Sequence, residues 1–232
     1  MAELFEQFLA LIRDIPGFLS GFIVQHGVWV YALLFAIIFA ETGLVVMPFL
    51  PGDSLLFAVG AIAAGEGRPF DPWGGVWAVS AVMIVAAILG DAVNYHIGKA
   101  VGPKIFRGEG GGFVGKCLNR RHLDRAHEFF EKYGGKAVVL GRFVPIVRTF
   151  VPFVAGAGAM NYPRFFLYNV SGAVLWIGLC VAAGWFFGNI EWVKKNFETV
   201  VIAIIVVSLI PIVIEYIAAR RKKAAAAAAT QT

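Results

Sequence analysis

Three stretches of this chain are apolar for longer than the core helix of a globular domain requires. Gly75 to Gly98 is interrupted only near its end, by Asp91, Asn94, Tyr95 and His96. Phe165 to Gly188 holds Asn169 and little else that is polar. Phe197 to Ala219 is nearly pure Val and Ile until it meets Arg-Arg-Lys-Lys at 220–223. Each exceeds the roughly 20 residues a helix needs to cross a hydrocarbon layer. The pattern predicts spanning helices over about 75–98, 164–188 and 197–219.

Two further apolar stretches break the pattern. Residues 28–64 are interrupted by Glu41 and then by Pro48, Pro51, Gly52 and Asp53; residues 137–160 are interrupted at Pro145 and Pro152. The arm from Ser54 to Ala64 rises about 16 Å as a helix, against roughly 30 Å of hydrocarbon. Such arms enter, turn and leave on one side, so both stretches are expected to be re-entrant hairpins. Ahead of the first, Leu4, Phe5, Phe8, Leu11, Ile12 and Ile15 recur at helical spacing among Glu3, Glu6, Arg13 and Asp14, which predicts an interfacial amphipathic helix over about 3–20. No basic leader or small-residue cleavage site marks this start as a removable signal. The expected fold class is an all-α polytopic membrane protein: an inverted repeat of re-entrant hairpin plus transmembrane helix, with an extra C-terminal transmembrane helix. One transmembrane domain would cover 1–219, followed by a basic, Ala-rich tail over 220–232.

Composition agrees with this. Of 232 residues 59% are hydrophobic and 15% charged, and the mean hydropathy is +0.76; soluble domains carry about a quarter charged residues. The basic pI of about 9.3 is not spread over a nucleic-acid face. It comes from the loop and amphipathic helix over 99–135, with eight Lys and Arg between 99 and 133, and from the tail. The positive-inside rule puts both in the cytoplasm and residues 66–74 outside. The few charges near the N-terminus leave its side open. Cys117 and Cys180 are too far apart in unlike surroundings to suggest a disulfide framework or zinc site, and His122 and His127 do not share a helix face as a metal pair would. Gly108–Gly115 follows no strand, so it is a linker and not a dinucleotide loop. No metal or cofactor is expected.

Charge at membrane depth costs roughly 2.5–3.5 kcal/mol per residue on insertion scales, so it points to function. Glu41, Asp53, Asp91, Arg142 and Arg148 qualify. One reading is mutual salt bridging that merely holds the hairpins together. The sharper reading is a receptor for phosphate: arginine keeps its proton, its planar fork matches phosphate oxygens, and broken backbone frees N–H groups beside it. Arg142 and Arg148 would bind the phosphate. Glu41 and Asp53, carboxylates in a low-dielectric cavity, would take up protons and couple them to transport. Asp91, eight residues before Lys99, is assigned a secondary place near the water-accessible end of its helix.

These residues also carry a family resemblance. Glu41-Thr-Gly43, Pro51-Gly52-Asp53, Gly90-Asp91 with Tyr95 and Gly98, Phe130, Tyr133-Gly134, and Arg142-Phe-Val-Pro145-Ile-Val-Arg148-Thr149 with Pro152 and Gly156 resemble the DedA family, the SNARE-associated Golgi or VTT-domain proteins, over about positions 25–190. The resemblance implies a bacterial inner-membrane, multi-pass protein with a cytoplasmic C-terminus, acting in proton-dependent transport. It implies that the positions matching the family's functional ones are Glu41, Asp53, Arg142 and Arg148. It also implies a cargo such as undecaprenyl phosphate, flipped by a non-enzymatic, proton-linked flippase in support of envelope synthesis and membrane homeostasis. Expected partners are membrane lipids, the polyprenyl phosphate and protons, with homo-oligomers left open. The alternatives are a proton-coupled ion antiporter or a phospholipid scramblase on the same scaffold. A lipid phosphatase ranks lower, since that chemistry wants histidines beside the arginines and His26, His96, His122 and His127 lie elsewhere. A structural scaffold would leave the buried charge without purpose.

Overall fold

A computed structural model describes residues 15–44, 52–65, 69–106, 127–128, 130–158, 160–196, 199–200 and 203. Among them all regular structure is helical: α1 (Ile15–His26), α2 (Trp29–Gly43), α3 (Gly52–Ala64), α4 (Gly75–Phe106), α5 (Lys136–Gly141), α6 (Pro145–Ala157), α7 (Tyr162–Phe187) and α8 (Glu191–Lys195). The expected span over 197–219 (three helical residues aside), the tail, residues 3–14, Pro48, Pro51 and most of the basic loop lie outside the described residues.

Among the described residues two helices are long and apolar enough to cross a membrane, Gly75–Gly102 within α4 and Tyr162–Phe187. The first continues as one helix well past the expected end at 98, absorbing both Gly102 and Pro103 on the way to Phe106. Tyr162 starts α7 for local reasons: Asn161 has extended backbone at the N-cap and Pro163 occupies the first turn. The N-terminal helix runs on to His26, beyond the expected limit at 20, burying Ile15, Leu19 and Ile23 at successive turns of one face.

The second broken stretch differs from expectation in one respect. Its break lies at Arg142–Val144, where Val144 is extended ahead of Pro145, as the residue before proline prefers, and Pro145 opens α6. Pro152 breaks nothing; it sits inside α6. Proline there removes the N–H that would reach the Arg148 carbonyl. The helix survives because Val151, Phe153, Val154 and Ala155 around it are all buried.

Helix pairing repeats with a swap. α2 packs on α4 and α5 on α7, while α3 packs on α7 and α6 on α4. The two swapped contacts are built alike. A Cβ on Gly60 of α3 would strike the Val181 carbonyl, and one on Gly184 of α7 the Phe57 carbonyl. Correspondingly, a Cβ on Gly156 of α6 would strike the Tyr95 carbonyl, and one on Gly98 of α4 the Phe153 carbonyl. Gly188 against Ala61 and Gly102 against Ala157 extend each contact by one turn. Phe57, Gly60 and Ala61 thus correspond to Phe153, Gly156 and Ala157, and Val181, Gly184 and Gly188 to Tyr95, Gly98 and Gly102. Small residues let backbones approach where lipid offers no hydrophobic drive to pack helices together.

Among the described residues the buried apolar side chains form two clusters. One gathers α1–α3 with Val79, Met83, Ala86 and Ala87 of α4 and Ala173, Trp176, Ile177 and Val181 of α7. The other gathers α5 and α6 with Tyr95 of α4 and Phe165 of α7. Along α4 the boundary falls between Ala87 and Tyr95, and along α7 between Phe165 and Ala173. Asp91, Asn94 and Asn169 occupy that gap.

Candidate functional site

The charged residues singled out from the sequence come together at this junction. Arg148, one turn into α6, spreads its guanidinium over two carboxylates: Nη1 donates to Asp53 Oδ1 at 2.9 Å, and Nη2 donates to Glu41 Oε1. Glu41 ends α2 and Asp53 begins α3, so a single side chain of the second broken stretch holds both arms of the first. Arg142, in the turn before α6, donates through Nη2 to Asp91 Oδ2 and, at 2.6 Å, to Asn169 Oδ1. Five ionisable side chains from α2, α3, α4, α6 and the α5–α6 turn therefore form two adjoining ion-paired groups. Only Asp53 is appreciably accessible, its side chain being 22% exposed.

Asp91 is not in the water-reachable place expected of it. It is 2% exposed and is the ion-pair partner of Arg142. The helix continues past Lys99, and the packing of α6 and α7 around it closes Asp91 off.

Backbone close approaches shape the site. A Cβ on Gly52 would occupy the position of the Glu41 carboxylate, and one on Gly90 would strike the Thr42 hydroxyl. Gly43 and Gly90 therefore let α2 and α4 cross where Glu41 enters. Gly172 gives Arg142 its passage along α7, with Cδ and Nε both 3.1 Å from where a Cβ would stand.

Several neutral residues complete the site, and sequence reasoning missed their part in it. Trp176 donates from Nε1 to Asp53 Oδ1 at 2.8 Å. Its ring lies 5.3 Å from the Arg148 guanidinium carbon and 5.8 Å from that of Arg142, within cation–π range of both. Asn94 donates from Nδ2 to the Thr42 carbonyl at 3.2 Å and the Thr149 carbonyl at 2.7 Å, tying the end of α2 to α6 through α4. Asn169 passes its Nδ2 hydrogen to the Ile88 carbonyl at 3.0 Å, joining α7 to α4. Two asparagines in otherwise apolar spans were the available signal; a tryptophan among apolar neighbours gave none.

Two arginines against three carboxylates leave the group one negative charge in excess when all are ionised. Nε of Arg142, Nε of Arg148, Glu41 Oε2 and Asn94 Oδ1 are buried and have no hydrogen-bond partner among the described residues. Buried polar atoms without partners cost about 1–3 kcal/mol each. The arrangement thus carries cationic donors able to take an anion and a carboxylate oxygen able to take a proton.

Comparison with known proteins places this geometry in context. The VTT domain family model matches residues 50–186. Protein DedA of Escherichia coli K12 is 51% identical over 206 residues, covering 89% of this chain and 90% of that protein. A membrane protein of Mycobacterium leprae is 40% identical over 178 residues, 77% of this chain and 75% of its own length. The inner membrane protein YqjA of Escherichia coli K12 is 33% identical over 162 residues, 68% of each. No solved structure matches the chain.

Proposed function

Since this chain belongs to the VTT-domain family of DedA membrane proteins, we propose that it translocates a lipid phosphate, such as a polyprenyl phosphate, across the inner membrane together with protons. The observation that carries this reading is Arg148, whose fork is divided between Glu41 and Asp53. A phosphate could claim that fork only by displacing carboxylates, and a carboxylate released from arginine in a low-dielectric interior takes a proton more readily than one in water. Phosphate binding and proton uptake then depend on one another. The unpartnered Nε atoms supply further donors, and the Trp176 ring holds both guanidinium groups in place when the carboxylates leave.

Helix lengths support two re-entrant hairpins. The 15 residues of α2 and 13 of α3 rise about 22 and 20 Å, short of the roughly 30 Å hydrocarbon thickness. Exposed Trp29, Trp77 and Trp192 lie at the start of α2, the start of α4 and beyond the end of α7. All belong to one end of the bundle, as an interfacial aromatic belt would, while Lys99 and Lys136 belong to the other. This supports a cytoplasmic placement of the basic loop, and of a C-terminus beyond a further span.

Equilibrium binding of a short-chain polyprenyl phosphate to purified protein in lipid nanodiscs tests the assignment. Arg148→Lys keeps the charge but loses the two-pronged geometry. It is expected to stay folded and to bind roughly tenfold or more weakly, the equivalent of one charge-assisted hydrogen bond. Unchanged binding in a well-folded Arg142→Gln, Arg148→Gln variant would make the arginines structural counter-ions.

A further inference from the structure

Between α4 and α7, in the half of the bundle carrying Trp77, lies a groove of about 670 Å³, a volume typical of small-molecule sites. Its walls include Val76, Ile84, Val174, Gly178, Trp185 and Phe186. It ends at Ile84 and Val174, one turn short of the hydrogen bond from Asn169 to the Ile88 carbonyl. Asp91, with Arg142 on it, lies seven residues from Ile84 along the same face of α4, about 10 Å. The groove therefore ends about 10 Å short of the Arg142–Asp91 pair, in line with it along α4.

The inverted pairing described above gives this groove a counterpart. By the shift along the chain that carries Tyr95, Gly98 and Gly102 to Val181, Gly184 and Gly188, Val76 corresponds to Tyr162 and Ala182 to His96. At the counterpart the space is filled. Tyr162 stacks on His96 with ring centres 5.1 Å apart, and Tyr95 and Phe166 pack against Tyr162. The Tyr95 hydroxyl also donates to the Met160 carbonyl. One of two related positions is thus plugged by stacked aromatic rings, and the other, walled by Trp77, Trp185 and Phe186 as well as small and aliphatic side chains, is open among the described residues. Gly178, in its wall, has no atom of the described residues within 4 Å of where a Cβ would stand.

We propose that this groove is the seat of the hydrocarbon tail of the lipid whose phosphate the arginines take. The proposal rests on the lipid-phosphate reading above. A phosphate at the junction and a tail toward Trp77 give the lipid the orientation of the leaflet on the Lys99 side, whose lipids carry their tails away from that surface. Bulk lipid is as apolar as the groove, so seating there is decided by packing and by the tethered head, not by the hydrophobic effect. The position of the tail is accordingly the quantity to measure.

The probe is a polyprenyl phosphate carrying a diazirine on its chain, in phosphatidylcholine–phosphatidylglycerol vesicles with the full-length protein; the uncharged alcohol of the same chain is the control. After irradiation, adducts are mapped by mass spectrometry. Expected are adducts on 76–84 and 174–186, several-fold more with the phosphate than with the alcohol. They should be lost in Gly178→Phe, whose ring enters the open space, with folding checked by elution and thermal transition. Arginine-dependent binding of dimethylallyl phosphate, too short to reach the groove, reports the head site separately. If that binding is present and the adducts scatter over other lipid-facing helices, the tail site is overturned and the head site stands. If that binding is absent, both readings fall. Crosslinks from these segments to a second copy of the chain, with no lipid adducts, would make the groove a protomer contact and overturn the proposal.

Discussion

Replacing Arg148 with glutamine leaves Glu41 and Asp53 facing each other without their shared cation. Glu41 is fully buried and retains no charged partner, whereas Asp53 keeps its bond from Trp176 Nε1 and some exposure. Removing one member of a buried ion pair typically costs about 3–5 kcal/mol, because the remaining charge is uncompensated. Glu41→Gln alone leaves Arg148 with Asp53 as partner, which places its cost nearer the bottom of that range. The double variant Glu41→Gln, Arg148→Gln removes both charges, and the two amides are of similar shape and able to bond each other. Its cost should be about 1–2 kcal/mol, of the order of one or two imperfect buried hydrogen bonds. The double-mutant cycle then gives a coupling of roughly 3 kcal/mol or more, at the upper end for residues in direct contact. For a chain of this length about 1 kcal/mol corresponds to 2–4 °C in Tm. Thermal unfolding in matched lipid nanodiscs should therefore place the double variant well above Arg148→Gln. Additive losses, with the double variant least stable of all, would refute the claim that this pair holds the two broken stretches together.

Three substitutions probe the surrounding shell. Gly52→Ala drives a methyl group into the Glu41 carboxylate and should abolish transport while the protein still inserts; wild-type transport rates in vesicles would contradict the close approach. Asn94→Leu removes both donors that tie α2 to α6 and buries unpaired carbonyls, costing about 2–4 kcal/mol, read as accelerated amide hydrogen exchange at the end of α2 and the start of α6. Unchanged exchange there would show that Asn94 clamps nothing. Asp91→Asn, by virtue of the Arg142 pair, should impair transport as severely as Glu41→Gln; a clearly milder loss would return Asp91 to a peripheral role.

The charged residues were legible in the sequence because ionisable groups in apolar runs are expensive, and Glu41, Asp53, Asp91, Arg142 and Arg148 stand out against such a background. Their partners were not. Whether Arg142 meets Asp91 or Glu41 depends on how α4 crosses α6 and α7, and that crossing is set by Gly98, Gly102, Gly156 and Gly172, which in one dimension look like ordinary small residues. Trp176 was hidden for a related reason: an aromatic side chain costs little in an apolar run, so its site role shows only once its neighbours are known, whereas Asn169 stood out as a costly amide but gave no sign of its partners. Pro145 announced a break correctly, since proline opens helices. Pro152 looked the same in sequence but lies two turns further in, where burial on both sides outweighs the hydrogen bond it forfeits. The pairing of α3 with α7 and α6 with α4 was beyond pattern reading, because spans and hairpin arms are equally apolar and their partners are chosen by backbone fit.

The most direct test of the account is leaflet accessibility of a polyprenyl phosphate in proteoliposomes, followed with and without a pH gradient. The account predicts protein-dependent exchange between leaflets without chemical change to the lipid, faster with the gradient, and lost in a folded, inserted Arg148→Lys variant. Exchange that ignores both the gradient and the loss of the arginine fork would contradict it.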